Sequence, residues 1–103
     1  MNKTFGIMSF GRGHTIICEL SLLETGATML RIPKACTIRN WGATHGLGEL
    51  SAHGPTSKTV LDAIAFPCRV PADSIHIIYE CSDKANVAWA KAVKTAEEVL
   101  LKG

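Results

Sequence analysis

The sequence has no strong excess of charge of either sign. It contains 11 Lys and Arg against 9 Asp and Glu, for a formal net charge of +2. The charges are spread evenly: seven cationic residues accompany six acidic ones before Ser82, and four accompany three after it. Binding of duplex DNA usually depends on a basic patch that neutralises several phosphates. The even distribution argues against duplex DNA as a partner.

Long apolar runs are also absent. A membrane-spanning helix needs a run of about 18 apolar residues, and no such run occurs, nor does the apolar core of a signal peptide. These absences predict a chain without membrane contact that stays in the cytoplasm. The composition, 47% hydrophobic and 19% charged, is typical of small chains that cover surface in a subunit interface. We therefore expect a homo-oligomer.

The four cysteines form no C-x-x-C pair, which removes the commonest zinc and redox signatures. They lie far apart among apolar neighbours, at Cys18, Cys36, Cys68 and Cys81. Without a secretion signal, disulfides are not expected either. We predict small buried thiols and no cofactor.

Known phosphate-binding and catalytic motifs are missing as well. A Walker loop requires G-x-x-x-x-G-K-[ST], and a dinucleotide site requires G-x-G-x-x-G after a strand; the sequence completes neither. No nucleophile stands beside an evident base. The sequence therefore favours a binding protein over an enzyme.

What the chain does contain is a series of short strand-like segments separated by turns. Alternating and β-branched residues predict strands at residues 3–10, 15–23, 27–32, 35–41, 65–70 and 74–81, with a possible strand within the loop 56–64. Pro67 makes 65–70 an edge strand. In the last strand, Ile75, Ile77, Tyr79 and Cys81 are expected to face one way.

A glycine-rich segment, residues 41–55, separates the early strands from the later ones. Thr44 can cap the N-terminus of a helix, Gly54 can follow its last turn, and Pro55 prevents its continuation. The segment therefore predicts a short helix of two or three turns.

A longer helix is predicted over residues 84–101, capped by Ser82 or Asp83. Its apolar positions recur at helical spacing, at Ala85, Trp89, Ala92, Val93, Ala96 and Leu100. This stripe predicts a docking face against the strands or against another copy of the chain.

Together these elements predict an α+β, mainly β fold: a small SH3-like or Sm-like β-barrel with a short inserted helix and a C-terminal α-helix. The chain is expected to be a single domain, residues 1–103, with the barrel in 1–82 and the helix in 83–103. A ferredoxin-like sandwich fits less well because no long helix separates the early strands.

Three stretches, ACTIRNWGA, LGELSAHG and VPADSIHIIYEC, together with the hairpin strands before them, carry a resemblance. The order of features over residues 16–89 resembles a family of small phage and prophage proteins with no settled activity. The resemblance implies a viral or prophage origin, and hence the host cytoplasm as location. It implies no reaction and no catalytic residues.

The candidate site lies where the fourth strand meets the glycine-rich segment. Glycine inside a helix costs about 1 kcal/mol relative to alanine, so its presence there calls for close packing or for a ligand near the backbone. The start of a helix attracts anions, Arg39 adds charge, Trp41 a stacking face, and hydroxyls add hydrogen bonds. The predicted ligand-binding residues are Arg39, Trp41, Thr44, His45, Gly46, Gly48 and Ser51. The alternative is that the glycines only allow tight packing and that Trp41 belongs to the core.

Three functions remain open. The first is a phage-encoded oligomer that sequesters a small anionic, nucleotide-like host immune signalling molecule. The second is a protein-interaction module that docks on and inhibits a host or virion protein, favoured if Trp89 is exposed. The third is a small metal-dependent hydrolase, in which His45, Glu49 and His53 would share one face of an uninterrupted helix and hold zinc.

Overall fold

The structure, a computed structural model, describes residues 3–102. The outermost positions of the predicted domain, residues 1, 2 and 103, lie outside the described residues. The strands are β1 (Phe5–Ser9), β2 (Thr15–Glu19), β3 (Glu24–Thr25), β4 (Met29–Ile32), β5 (Ala35–Asn40), β6 (Val60–Ala63), β7 (Cys68–Pro71) and β8 (Ile77–Glu80). The helices are α1 (Leu47–His53) and α2 (Asp83–Lys102), and short 3₁₀ turns occur at Leu20–Leu22 and Ala72–Ser74.

The described strands form two antiparallel sheets. One has five strands in the order β6-β5-β2-β1-β8, and the other has three in the order β3-β4-β7. The α+β, mainly β class, the inserted helix and the C-terminal helix are confirmed, but the sheets do not close, so the barrel is not. Short strands with tight turns are a signal of local pairing, and local pairing does not determine whether a sheet closes on itself.

The five-stranded sheet is the middle layer of the fold. Successive side chains of a strand point to opposite faces, and Ile7 and Met8 of β1 accordingly enter different clusters. One cluster lies under the helices and contains Phe5, Ile7, Ile17, Cys36, Ile38, Leu47, Leu50, Ala85, Trp89 and Val93. The other lies against the three-stranded sheet and contains Met8, Ile16, Cys18, Leu30, Ile32 and Ala35.

Helix α2 begins as the sequence predicts. The Ser82 hydroxyl accepts the N–H of Ala85 at 3.1 Å, which is the N-cap hydrogen bond. The same hydroxyl donates to the carbonyl of Ala52 in α1 at 2.6 Å. The apolar stripe packs on the sheet as expected, except that Leu100 is 43% exposed. No helix among residues 3–102 is both long enough and apolar enough to span a membrane.

Two strand predictions require correction. The segment predicted as strand 15–23 leaves the sheet after Glu19 and forms a 3₁₀ turn. The predicted strand 74–81 begins only at Ile77, because Ala72–Ser74 also forms a 3₁₀ turn. Ile75 therefore packs with the cluster against the three-stranded sheet, whereas Tyr79 packs under the helices. The prediction that they share a face was wrong for this reason.

The cysteines are all free thiols. Cys18 and Cys36 are buried, and Cys68 and Cys81 are half-buried. Burial raises the pKa of Cys18 to about 12 and that of Cys36 and Cys81 to about 11. The prediction of buried thiols is therefore confirmed for two of the four.

Candidate functional site

Arg39 lies near the end of β5 with its side chain exposed. Its guanidinium donates two hydrogen bonds to the Asp62 carboxylate on β6, from Nε at 2.8 Å and from Nη2 at 3.2 Å. The bond to Asp62 raises the pKa of Arg39 above its already high value. The pair orients the guanidinium, and the remaining N–H groups can still donate. Arg39 can therefore bind a ligand, but the ligand would compete with the Asp62 carboxylate for the guanidinium.

Trp41 follows the end of β5 and is half-buried. Its indole N–H donates to the Thr15 hydroxyl at 3.0 Å, and its ring packs against the cluster under the helices. The pairing of β5 with β6 is irregular between Ile38 and Asn40. Such an irregularity shifts the alternation of side chains, so Trp41 joins the cluster that contains Ile38. Arg39 and Trp41 therefore contact different strands, Arg39 the neighbouring β6 and Trp41 the strand β2 on the other side.

A pair of threonines that the sequence argument missed holds the turn after Trp41. The Thr59 hydroxyl donates to the carbonyl of Trp41, and the Thr56 hydroxyl donates to the carbonyl of Gly42, both at 2.7 Å. The Thr56 N–H donates to the Thr59 hydroxyl at 2.8 Å. Hydroxyl residues three apart in a loop are the signal that could have indicated such a local network. The turn leading to α1 is therefore fixed by side chains from the loop after it.

The start of α1 is capped differently from the prediction. The N-cap residue is Gly46, at φ +83°, and not Thr44. Gly46 has no side chain that could cap the helix, and the Glu49 carboxylate provides the capping hydrogen bonds instead. Its Oε1 accepts the Thr44 O–H at 3.2 Å and the His45 N–H at 3.1 Å. This arrangement is similar to a capping box, in which the third helical residue reaches back over the helix start.

Glu49 changes the electrostatics of the predicted anion site. A negative side chain in the first turn of a helix interacts favourably with the partial positive charge there. In α1 the negative side chain in the first turn is Glu49, which belongs to the protein itself. A phosphate at the bare N–H groups of this seven-residue helix would meet Glu49 at close range. An anionic ligand would therefore contact Arg39 rather than the start of α1.

The structure explains some glycines of this region by their backbone conformation or close packing, but not all of them. Gly42 and Gly54 have positive φ, and an added Cβ would come within 2.5 Å of Lys58 and within 2.7 Å of Ala88. Gly46 has positive φ but open space around it. Gly48 has neither constraint: its φ is ordinary, it lies within α1, and an added Cβ would meet nothing within 4 Å. Tight packing within the chain therefore does not explain Gly48.

Ser51 lies one turn further along α1. Its hydroxyl donates to the carbonyl of Gly48 at 3.0 Å, and its own carbonyl accepts the N–H of Ser82 at 2.9 Å. The exposed positions Thr44, His45 and Gly48 therefore share the start of α1 with Ser51. The structure brings these four predicted residues together, whereas Trp41 packs against the cluster under the helices.

The predicted metal site is not supported. His45 precedes α1 and His53 is its last residue, so the two histidines and Glu49 do not share one helix face as proposed. Across residues 3–102, no three His, Cys, Asp or Glu side chains are placed to hold a metal ion. The idea required an uninterrupted helix, and Gly46 begins the helix instead.

The comparisons with known proteins give no family. The sequence matches no protein-family model and no curated protein, and the fold matches no solved structure. The resemblance to small phage proteins therefore stays a prediction from the sequence pattern.

Proposed function

We propose that the protein is an oligomeric binding module that holds a small ligand against the start of α1. The observation that carries the proposal is Gly48. Its φ is ordinary and an added Cβ would meet nothing, yet glycine here costs the helix about 1 kcal/mol relative to alanine. A ligand that approaches the backbone closely at this position would explain why a glycine is present despite its cost. The neighbouring Thr44, His45 and Ser51 supply a hydroxyl, an imidazole and a second hydroxyl.

The ligand class we propose is a small anionic molecule of nucleotide type. Arg39 is exposed and uses only two of its donors on Asp62, so it can add hydrogen bonds to a phosphate. Glu49 keeps the phosphate away from the helix start, which leaves the start of α1 to the neutral part of the ligand. Trp41, three residues before Thr44, is partly exposed, and the exposed part of its ring can stack on the ligand. Sequestration of a host immune signalling nucleotide by a phage protein is the biological role we propose, and it rests on the resemblance alone.

Isothermal titration calorimetry against a panel of linear and cyclic nucleotides tests the binding. We expect one nucleotide to bind in the micromolar range, and Gly48→Gln to abolish that binding, because the longer side chain occupies the open space. Ala52→Gln, on the same helix and exposed, is the matched control and should bind as the original chain does. Absence of heat with every nucleotide at high micromolar concentration, or equal loss in both variants, would contradict the proposal.

A second candidate is a protein-interaction module that inhibits a host or virion protein. The observation that favours it is the exposed apolar end of α2, where Leu101 is 86% exposed. Trp89, by contrast, is 0% exposed, which counts against docking through that residue. Pull-down from host lysate with the original chain and with Leu101→Ser separates this function from nucleotide binding, since loss of a captured protein only in Leu101→Ser would favour it.

A further inference from the structure

The outer face of the three-stranded sheet carries two arginines. Leu30 and Ile32 of β4 are buried in the cluster between the two sheets, and side chains alternate along a strand, so Arg31 between them points outward. On β7, both neighbours of Arg69 pack against the same cluster, whereas Arg69 itself is exposed. The two guanidinium groups therefore lie on the same face of this sheet.

Arg31 and Arg69 are also directly opposite each other in the pairing of β4 with β7. Opposite residues of an antiparallel pair have Cβ atoms about 4.5–5.5 Å apart, and like charges at such positions are destabilising. Glu24 of β3 lies opposite Arg31 on its other side and accepts an N–H of Arg31 Nη1 at 2.8 Å. Within residues 3–102, no salt bridge involves Arg69. The pair of arginines is therefore matched by a single carboxylate, which is held by Arg31.

A pocket of about 300 Å³ opens beside this pair of arginines. Its lining combines both arginines and Glu24 with a hydroxyl, a glycine and a thioether, from Thr25, Gly26 and Met29. Met29 is 38% exposed, so it offers apolar surface next to the charges. The pocket therefore presents two guanidinium groups, a hydroxyl and an apolar wall to one small molecule.

A phosphate group suits this pocket better than a carboxylate does. The guanidinium of arginine is a planar fork of N–H donors that matches the oxygens of either group. A carboxylate has two oxygens, which a single guanidinium can occupy. The phosphate of a monoester has three acceptor oxygens and a charge of about −1.5 to −2 at pH 7, enough for two guanidinium groups. Arg31 uses Nη1 on Glu24 and keeps its other N–H groups for a ligand.

We propose that Arg31 and Arg69 together bind the phosphate group of a small phosphorylated molecule in this pocket. The phosphate relieves the repulsion between the two guanidinium groups, and the organic part of the ligand lies against Met29. Glu24 opposes this binding, because its carboxylate repels the phosphate and competes for Arg31.

This inference goes beyond the proposed function and does not rest on it. Arg31 and Arg69 belong to the three-stranded sheet, whereas Arg39 and Asp62 belong to β5 and β6 of the five-stranded sheet. A nucleotide at the start of α1 would change the NMR signals of α1 and Arg39, and a phosphate in the pocket would change those of β4 and β7. Either site can therefore fail without the other.

An NMR titration with inorganic phosphate at constant ionic strength tests the site. We expect saturable shifts of the Nε–H signals of Arg31 and Arg69 and of the amides of residues 24–31 and 68–71. Arg69→Gln should lose these shifts with unchanged circular dichroism. Lys91→Gln removes the same charge from an exposed position of α2 and should keep them. The absence of saturable shifts in the original chain, or equal behaviour of the two variants, overturns the inference.

A gain of affinity provides a second test that does not depend on losing a function. Glu24→Gln removes the competing carboxylate and should bind phosphate more tightly than the original chain does. Acetate should bind more weakly than phosphate, and glycerol phosphate at least as tightly. Weaker binding of phosphate to Glu24→Gln, equal binding of acetate, or weaker binding of glycerol phosphate would overturn a site for phosphorylated molecules.

Discussion

The indole N–H of Trp89 donates a hydrogen bond of 3.0 Å to the backbone carbonyl of Leu50, and both residues are fully buried. The same carbonyl accepts the N–H of Gly54 at 2.9 Å. The contact joins the middle of α2 to α1. A helix of seven residues is not stable alone in water, so α1, and with it the candidate site, depends on this contact with α2.

Replacement of Trp89 by phenylalanine is therefore expected to weaken α1 as well as the core. The change removes the hydrogen bond and part of the ring volume, and we expect a loss of about 1–3 kcal/mol in the free energy of unfolding. Urea denaturation followed by circular dichroism measures it. Val87→Ala, at an exposed position two residues earlier, should change stability by less than about 0.5 kcal/mol. Equal effects of the two substitutions would contradict the role assigned to Trp89.

Two glycines of the α1 region should respond to alanine in opposite directions. Gly48→Ala adds a methyl group to open space inside a helix and should stabilise the protein by about 0.5–1 kcal/mol. Gly54→Ala forces a residue with a side chain to φ +91° and brings its Cβ within 2.7 Å of the Cβ of Ala88. We expect it to cost at least about 1–3 kcal/mol, measured as a fall in the thermal midpoint.

A second substitution separates the two causes at Gly54. Ala88→Gly in the Gly54→Ala background removes the steric contact but leaves the backbone strain. Part of the lost stability should therefore return, after correction for the effect of Ala88→Gly alone. Full stability in Gly54→Ala would show that the backbone at this position is not constrained as described.

The sequence predicts the local elements of this fold well and their assembly less well. A cap of α2 at Ser82 or Asp83 and the place of Trp89 on its apolar stripe follow from residue spacing alone, because capping and helical periodicity are local properties. The structure selects Ser82 as the cap and buries Trp89. The two open sheets could not be distinguished from a barrel, because closure depends on which distant strands meet. The 3₁₀ turn at Ala72–Ser74 was also missed, and it changes the face to which Ile75 points.

The candidate site was predicted in its parts but not in its geometry. Arg39, Thr44 and Gly48 were selected from residue type and position, and the structure leaves all three exposed. The helix start was misplaced because Gly46 can cap only with help from Glu49, a contact across several residues. Whether Trp41 binds a ligand or belongs to the core could not be decided from β5 alone, because the irregular pairing of β5 and β6 is a property of two strands together.

Asn86 connects α2 to the start of β1. Its side-chain oxygen accepts the N–H of Phe5 at 2.8 Å in a buried setting. Asn86→Ala leaves that N–H without a partner and should cost about 1–3 kcal/mol. Lys84→Ala, on the exposed part of the same helix turn, is the control and should have little effect. Hydrogen exchange at the Phe5 amide should accelerate in Asn86→Ala alone; protection there in both variants would contradict the contact.

The buried thiols predict a loss of stability in alkaline solution. Burial raises the pKa of Cys18 from 9.0 to about 12 in the folded chain. Above pH 9 the unfolded thiol therefore releases a proton that the folded one retains, so the free energy of unfolding falls as pH rises toward 12. Urea denaturation at pH 8 and pH 10 measures the fall, and Cys18→Ala should show a shallower one. An identical pH dependence in both chains would contradict this effect of burial.

The pairing of Arg39 with Asp62 makes the proposed nucleotide site testable by a gain of affinity. Asp62→Asn keeps the size of the side chain and removes the carboxylate that competes for the guanidinium. An exposed ion pair of this kind is weak, so a nucleotide that contacts Arg39 should bind somewhat more tightly to Asp62→Asn. Calorimetry measures the change, and Asp73→Asn, far from Arg39 in sequence and exposed, controls for the change in net charge. Weaker binding to Asp62→Asn, or an equal gain in both variants, would show that the ligand does not use Arg39.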